Sequence, residues 1–339
     1  MRKIVLAAAA SGAAAMVLTA CHSIPGAAGS DVPESPAAAA SPTSAAPSPT
    51  APGTVAPVEQ SKPASAPAAS ASMGSGTSAN RPSATGGPVG QSGAGGYGVP
   101  AGTPLAKSGS ITAKSGQVIE NLDITGRVLI GDGVHDVVIR NCRFTGDGTV
   151  PWGIDTEGDG SVNADHVTIR GDYTDAGIGY HNVTVSHADI YGMTNDGAKV
   201  GNNFTMTDSW IHDFTPATGA HADGLQIMER VANVLVQHNV VNPGLGGEWS
   251  KDPAADRSVN SAMIMNDSID RGTAGRIVVD GNQIGGGGYS VYFGVPGDTA
   301  FTNNRFVRDS YRWGPVEPSA KTDVWSGNTF TDNGAAVAP

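Results

Sequence analysis

The sequence has little cysteine, little charge and few aromatic side chains. Its 339 residues hold two cysteines, Cys21 and Cys142, so no disulfide framework staples the fold. Charged residues make up 15% and aromatic residues 6% of the chain. Taken together the composition excludes a coiled coil, collagen, a polytopic membrane protein and a disulfide-rich miniprotein. Basic residues are scarce as well. Residues 1–107 carry five Lys or Arg and three Asp or Glu, leaving 15 basic and 28 acidic residues beyond them, a net charge of −13. That balance disfavours nucleic acid as a partner, because nucleic-acid binding needs a basic footprint. It also repels polyanions.

What is abundant is unevenly spread. Of the 22 prolines, 14 fall between Pro25 and Pro104, in a segment rich in Ala, Ser and Thr with few charges and few large apolar residues. Such a stretch cannot offset the entropy of ordering and reads as a disordered tether. Near Ser108 to Ile111 the texture changes and β-branched residues begin to recur. The expected organisation is a signal peptide over 1–20, a tether over 21–107 and one folded domain over 108–339, large enough for a sizeable core.

The N-terminus reads as an export signal: Met1-Arg2-Lys3 and then the run IVLAAAASGAAAMVL, too short to span a bilayer comfortably. It ends in Leu18-Thr19-Ala20-Cys21, which resembles a bacterial lipobox. That resemblance implies lipidation of Cys21, anchoring to a membrane and an extracytoplasmic destination. An ordinary secretory signal cleaved after Ala20, with Cys21 incidental, is the alternative.

Short β-branched runs begin at Val137, Val167, Val183, Phe204, Val234, Ile277, Phe301 and Val324, at intervals of 16 to 43 residues. Gly, Asn and Asp interrupt the chain between them and leave no room for a helix. Irregular coils of roughly 20–25 residues with alternating strands predict an all-β, single-stranded parallel β-helix solenoid. The short interval after Val167 predicts a coil with a trimmed strand. An Asn-x-apolar turn aligns Asn239, Asn282, Asn304 and Asn328 in one column, with Asp208 and Cys142 at the same level. Stacked asparagines satisfy one another and the buried turn backbone. Cys142 then points inward as a small, inert apolar residue.

This pattern, over about Gly109 to Gly334, resembles the right-handed parallel β-helix superfamily of pectate lyases, alginate lyases and epimerases, and polygalacturonases. Asn195-Asp196-Gly197-Ala198-Lys199-Val200 and His221-Ala222-Asp223-Gly224-Leu225-Gln226-Ile227 resemble the DG-x-K and H-x-DG-x-Q segments of secreted bacterial members. The resemblance implies a carbohydrate-active protein with a polysaccharide as partner. The adjacent aspartates, Gly-His-Gly and Arg-x-Lys of polygalacturonases are missing, as is the Asp-Pro-His-Asp/Glu element of alginate epimerases.

Equivalent positions of successive coils lie about 4.8 Å apart. Counting from each Asp-Gly gives an outward column of Asp155, Gly179, Lys199, Gln226, Met263 and Tyr292, with Asp196, Asp223, Asn260 and Tyr289 three residues before its later members. Long insertions after Asp213 and Val241 flank this region and add His212, His221, Glu248 and Lys251. Two chemistries fit. In β-elimination from a uronate polymer, Lys199 or His221 is the base, Tyr292 donates to the leaving oxygen, and Arg308 or Arg312 grips carboxylates. In glycoside hydrolysis, Asp196 and Asp223 form the carboxylate pair, at about the separation of a retaining enzyme. Gln226, Tyr289, Tyr311 and nearby aromatic residues suit sugar binding. Elimination is the leading expectation, with hydrolysis, glycan binding without catalysis, or adhesion as alternatives. Structural roles compete at each position: Asp before Gly reads more simply as an Asx turn, and an exposed Lys is more often a solvated face. Asp155, Glu157 and Asp159 have the alternation of a looser Ca²⁺ site, and histidine spacing offers no zinc pattern.

Overall fold

A computed structural model describes residues 96–227, 231–247, 258–265, 274–293, 297–318 and 322–339. The described residues form three parallel sheets and no helix. The first sheet has ten strands, from Ala106–Ser108 to Thr329–Phe330; the second has nine, from Ile111–Thr112 to Gly314–Val316. The third, also of nine, runs from Val118–Glu120 to Val324–Ser326. Neighbours within a sheet are three strands apart along the chain. Each turn of the chain therefore adds one strand to every sheet, which is a parallel β-helix.

Alternation makes the strands. In Val183–Ser186 both valines are buried while Thr184 is exposed, the period-two signature of a strand with one face inward. Inward residues then stack coil on coil. Phe144, Ile169, Ile190, Ile211, Val241, Ile284 and Phe306 follow one another in register along the first sheet. All are fully buried, each contributing about 1.5–3 kcal/mol.

The asparagine column exists and is continuous. The backbone N–H and Nδ2 of Asn239 both donate to Oδ1 of Asn282, at 2.9 and 3.0 Å. Asn282 donates in the same way to Asn304, and Asn304 to Asn328. Each Nδ2 also reaches a carbonyl of the preceding strand, Met206, Val236, Val279 or Phe301. Cys142 is fully buried at the same level of its coil, and burial raises its thiol pKa. Asp208 is not in the column; Ser209 is, its N–H donating to Asn239 Oδ1. Asp208 occupies the preceding step, where the backbone is left-handed. Asn121, Asn141, His166, His187, His238 and Asn303 share that conformation, with φ of 50° to 58°. Asn, Asp and His tolerate it better than other side chains.

The coil expected to be trimmed at Val167 is complete. The strand Thr168–Asp172 belongs to the first sheet and pairs with Arg143–Asp147, whereas the third-sheet strand of that coil is Val162–Asp165, paired with Val183–Ser186. Val162–Asp165 carries Asn163 and Asp165 in place of β-branched residues, so this strand leaves no mark in the β-branched pattern. Residues 96–107, compositionally part of the tether, also lie on the solenoid. Gly98 N–H donates to His187 O at 2.7 Å, Val99 N–H to Thr168 Oγ1 at 3.0 Å, and Ala106–Ser108 pairs with Leu122–Thr125.

Asn282→Ala strands donors and acceptors on both neighbouring coils. It is expected to cost about 2–4 kcal/mol, read as a lowered urea midpoint, whereas outward-facing Asn163→Ala stays within about 0.5 kcal/mol.

Candidate functional site

The second sheet carries the residues of interest. Its strands Trp152–Thr156, Ala176–Gly179, Asp196–Val200, His221–Ile227, Ser258–Met265 and Tyr289–Phe293 lie side by side. Register places Asp155, Gly179, Lys199, Gln226, Ile264 and Tyr292 in one outward row. Ile264 takes the place expected for Met263, which is buried opposite Leu225 and Val291. The cause is a bulge: the register shifts between Ala222 and Asp223, so that Asp223 faces Ser261 and Asn260 is the extra residue. Counting from Asn260 therefore lands one residue short, on the opposite face.

Asp196 and Asp223 stand on neighbouring strands, three residues before Lys199 and Gln226 of this row. Each precedes a glycine, but neither glycine has a positive φ, so the pairs are not left-handed turns. Glycine is required by close approach instead. A Cβ on Gly197 would lie 2.5 Å from Gly224 O, and one on Gly224 2.5 Å from Ala262 O.

The pair is buried and bonded. Asp223 N–H donates to Asp196 Oδ1 at 2.8 Å. Asp223 Oδ1 accepts from Asn260 Nδ2 at 2.9 Å and from Ser261 Oγ at 2.5 Å. The bulge is what allows two consecutive side chains to reach one oxygen. Lys199 bridges to Asp175, and its Nζ lies 3.7 Å from Asp196 Oδ2. Burial pushes the Asp196 carboxyl up to about 7, with Lys199 and the Asp223 N–H pulling it back. Asp223 is raised well above the carboxylate range by burial and by the charge of Asp196, only partly offset by Ser261, Asn260 and Lys199. Burial alone lowers Lys199, but the Asp196 and Asp175 carboxylates outweigh it and its pKa ends above the usual lysine value. The cluster thus holds a lysine ammonium and two carboxyls that resist ionising together.

The other expected residues divide into those at this face and those away from it. His221 is exposed at the start of its strand, opposite Ser258. Gln226 is half-buried beside Lys199 in register. Tyr292 has its phenol raised by burial and, in lesser part, by the Asp223 charge. Its ring meets Tyr289 edge-on at 5.5 Å, and Tyr289 lies 5.6 Å from Trp313. The Arg312 N–H bonds the carbonyls of Gly287 and Gly288, at the same end of the row. Arg308 is elsewhere: it follows the first-sheet strand Arg305–Phe306, donates to Asp332 at 2.9 Å and covers the Phe330 ring at 3.7 Å. Tyr311 shares the neighbourhood of Arg308, and burial raises its phenol. His212 is buried on the first sheet between Asp189 and Asp213, stacked on Trp210. Glu248, Trp249, Lys251 and Cys21 lie outside the described residues.

Of the residues read as a calcium loop, Asp155 is paired with Arg127 at 2.5 Å, Asp159 accepts from Gly133 N–H at 2.7 Å, and Glu157 is exposed. Sequence counting missed Asp175, the carboxylate closest to Lys199, and Ser261. It also missed Trp152 and Tyr180, whose rings meet edge-on at 6.1 Å. Trp152 stands two strands before Asp196 and Tyr289 two strands after Asp223. Aromatic groups therefore flank the carboxylates on both sides along the axis. The signal is present at Trp152-Gly153, Ala176-Gly177, Asp196-Gly197 and Asp223-Gly224, each pair beginning three residues before the outward column.

No family model matches the sequence, and no curated protein is similar to it. Among solved structures, the catalytic domain of a GH87 alpha-1,3-glucanase in complex with nigerose is similar, as are two of its single-aspartate variants with the same sugar. Each is 12% identical, aligned over 66% of this chain, with a TM-score of 0.27. The chain spans 63% of the length of those domains.

Because the folded pKa of Asp196 is about 7 and its ordinary value 3.8, the native state binds the extra proton between them. Stability is then fully present below about pH 4 and falls as pH rises through about 7. Asp223→Asn keeps an acceptor for Ser261 and Asn260 and adds a donor toward Asp196. Urea denaturation at about pH 8 should show it more stable than the parent by about 1–2 kcal/mol, with a weaker fall across that pH range.

Proposed function

We propose that this chain is a glycan-cleaving enzyme of the glycoside-hydrolase type, with Asp223 as general acid and Asp196 as its ionised partner. The observation that carries this reading is the buried pair itself. Two carboxyls one strand apart, with a single ammonium beside them, retain a proton near neutral pH. One proton and one negative charge is the state that acid-assisted glycoside cleavage requires. Lys199 favours the charged form of Asp196 against burial, and Asn260 and Ser261 fix the Asp223 carboxyl. Trp152 and Tyr180 on one side, and Tyr289, Tyr292 and Trp313 on the other, offer faces on which sugar rings stack. A neutral polysaccharide suits this acidic face better than a uronate polymer, since Asp175, Asp196 and Asp223 outnumber Lys199.

β-Elimination is the second reading. Its base must be free of its proton, and Asp175 and Asp196 keep Lys199 protonated, which leaves exposed His221, two residues from Asp223, in its favour. The product separates the two. Incubated with neutral and uronic-acid polysaccharides, the full chain is expected to release new reducing ends with no ultraviolet absorbance from an unsaturated product. Asp196→Asn and Asp223→Asn should each lower that rate about a hundred- to ten-thousandfold while glycan binding persists. Unsaturated product with loss of activity in His221→Ala would instead establish elimination. Binding without any product would make this face a lectin-like site.

We further propose that the protein works outside the cytoplasm, held at a membrane by lipid on Cys21. The support is the n-region, the short apolar run and the Leu-Thr-Ala-Cys sequence. Cys21→Ser should leave the membrane fraction on cell fractionation, and retention there would contradict the anchor.

A further inference from the structure

Coil stacking also gathers side chains at the corner between the third and first sheets. Asp165 ends the strand Val162–Asp165, and His166 follows it with a left-handed backbone. One coil on, Ser186 pairs in register with Asp165, and His187 takes the equivalent left-handed step. His166 Nδ1 lies 2.7 Å from Asp165 Oδ2, and His187 Nδ1 lies 2.8 Å from Asp165 Oδ1. The two imidazoles are stacked, with centroids 4.5 Å apart and planes 16° from parallel. Ser186 Oγ donates to Asp165 Oδ1 at 2.7 Å and steadies the carboxylate. One ligand atom from each of Asp165, His166 and His187 lies within 4.8 Å of the others, and all three residues are partly open to solvent.

The turn does not itself call for histidine. The same left-handed step is filled by Asn141, Asp208 and Asn303 on other coils, so shorter side chains suffice for the backbone. Two histidines on consecutive coils around one carboxylate are an arrangement beyond what the turn needs. Histidine spacing in the sequence conceals it, because the ligands are 21 residues apart and meet only through coil stacking.

We propose that Asp165, His166 and His187 form a binding site for a divalent first-row transition ion of the zinc class. Two imidazole nitrogens and a carboxylate oxygen make a borderline-soft donor set that suits zinc rather than calcium or magnesium. An ion about 2.0–2.2 Å from each donor replaces the hydrogen bonds that now join the rings to the carboxylate, and each ring then keeps its proton on Nε2. The fourth position of a tetrahedral ion stays open to water. Ser186 orients the carboxylate from behind. The site is on a different corner from the Asp196–Asp223 pair and does not depend on the glycan reading. It adjoins the N-terminal strap, since the His187 carbonyl receives Gly98 N–H, and an ion there ties two coils and the strap together.

The test is a titration of the full chain with Zn²⁺ against a chromophoric chelator. One equivalent is expected to bind with a micromolar dissociation constant and to raise the melting temperature. The double variant His166→Asn/His187→Asn keeps residues that occupy this turn elsewhere in the solenoid, and circular dichroism reports its fold directly. It should lose at least about tenfold in affinity, as should Asp165→Asn. His135→Asn and His238→Asn should leave the affinity unchanged. With Co²⁺ as probe, the visible absorption of a tetrahedral site should be seen in the parent and be missing in the double variant. One equivalent of Zn²⁺ bound equally well by the double variant, or no binding by the parent below millimolar zinc, overturns the proposal.

Discussion

Backbone pairing between successive coils holds this chain together and also decides which side chains meet. Each turn of the solenoid lays one strand on each of three sheets, about 4.8 Å above the last. Inside, that spacing puts Phe144, Ile169, Ile190 and their successors in contact down the axis. Outside, it brings Asp196 next to Asp223, and at a corner His166 next to His187. Core and chemistry are thus products of one register, and a one-residue slip would move both.

The corners are where such a fold is most exposed to failure, because the chain must turn sharply while its peptide groups remain buried. Two adjacent steps deal with this. The first is a left-handed residue, drawn from Asn, Asp, His or Gly. The second is an inward side chain, which over the C-terminal coils is the ladder of Asn239, Asn282, Asn304 and Asn328. In the N-terminal coils the same level is taken by Cys142, Val167, Ala188 and Ser209, which are all buried. At Val167 and Ala188 apolar packing takes the place of amide bonding, whereas Ser209 accepts from Ala188 N–H and donates to Thr207 O. The ladder is therefore strongest in the coils on the C-terminal side of the Asp196–Asp223 pair.

How much of this was legible in the sequence depended on whether the local period was unbroken. The asparagine ladder was legible because Asn-x-apolar recurs at matching turns, and the inward placement of Cys142 followed from it. Asp208 was mistaken for Ser209 because both are small and polar and stand side by side; only the backbone's left-handed step separates them. The row through Lys199, Gln226 and Tyr292 was legible from the Asp-Gly pairs. Met263 was misplaced because a bulge at Asn260 leaves no mark in composition. Arg308 looked suited to a carboxylate until the turn after Phe306 carried it to the first sheet. Asp175 and His187 were beyond reach of counting, since their partners Lys199 and Asp165 lie a coil away, and nothing local distinguishes His166 from other turn residues.

The acidity of the domain takes on a different meaning once the carboxylates are located. A net charge of −13 on the residues beyond 107 is diffuse, but Asp175, Asp196 and Asp223 concentrate it where burial and mutual repulsion force one carboxyl to keep its proton against the pull of Lys199. Without that shared proton the face would be only an acidic patch. The central claim is therefore a protonation state, and the direct measurement is a carbon-13 carboxyl titration of the aspartates by NMR, with Asp196→Asn and Asp223→Asn spectra for assignment. The account predicts one carboxyl of the pair still protonated at about pH 6. Both carboxyls fully ionised by about pH 5, as for solvent-exposed aspartates, would contradict it.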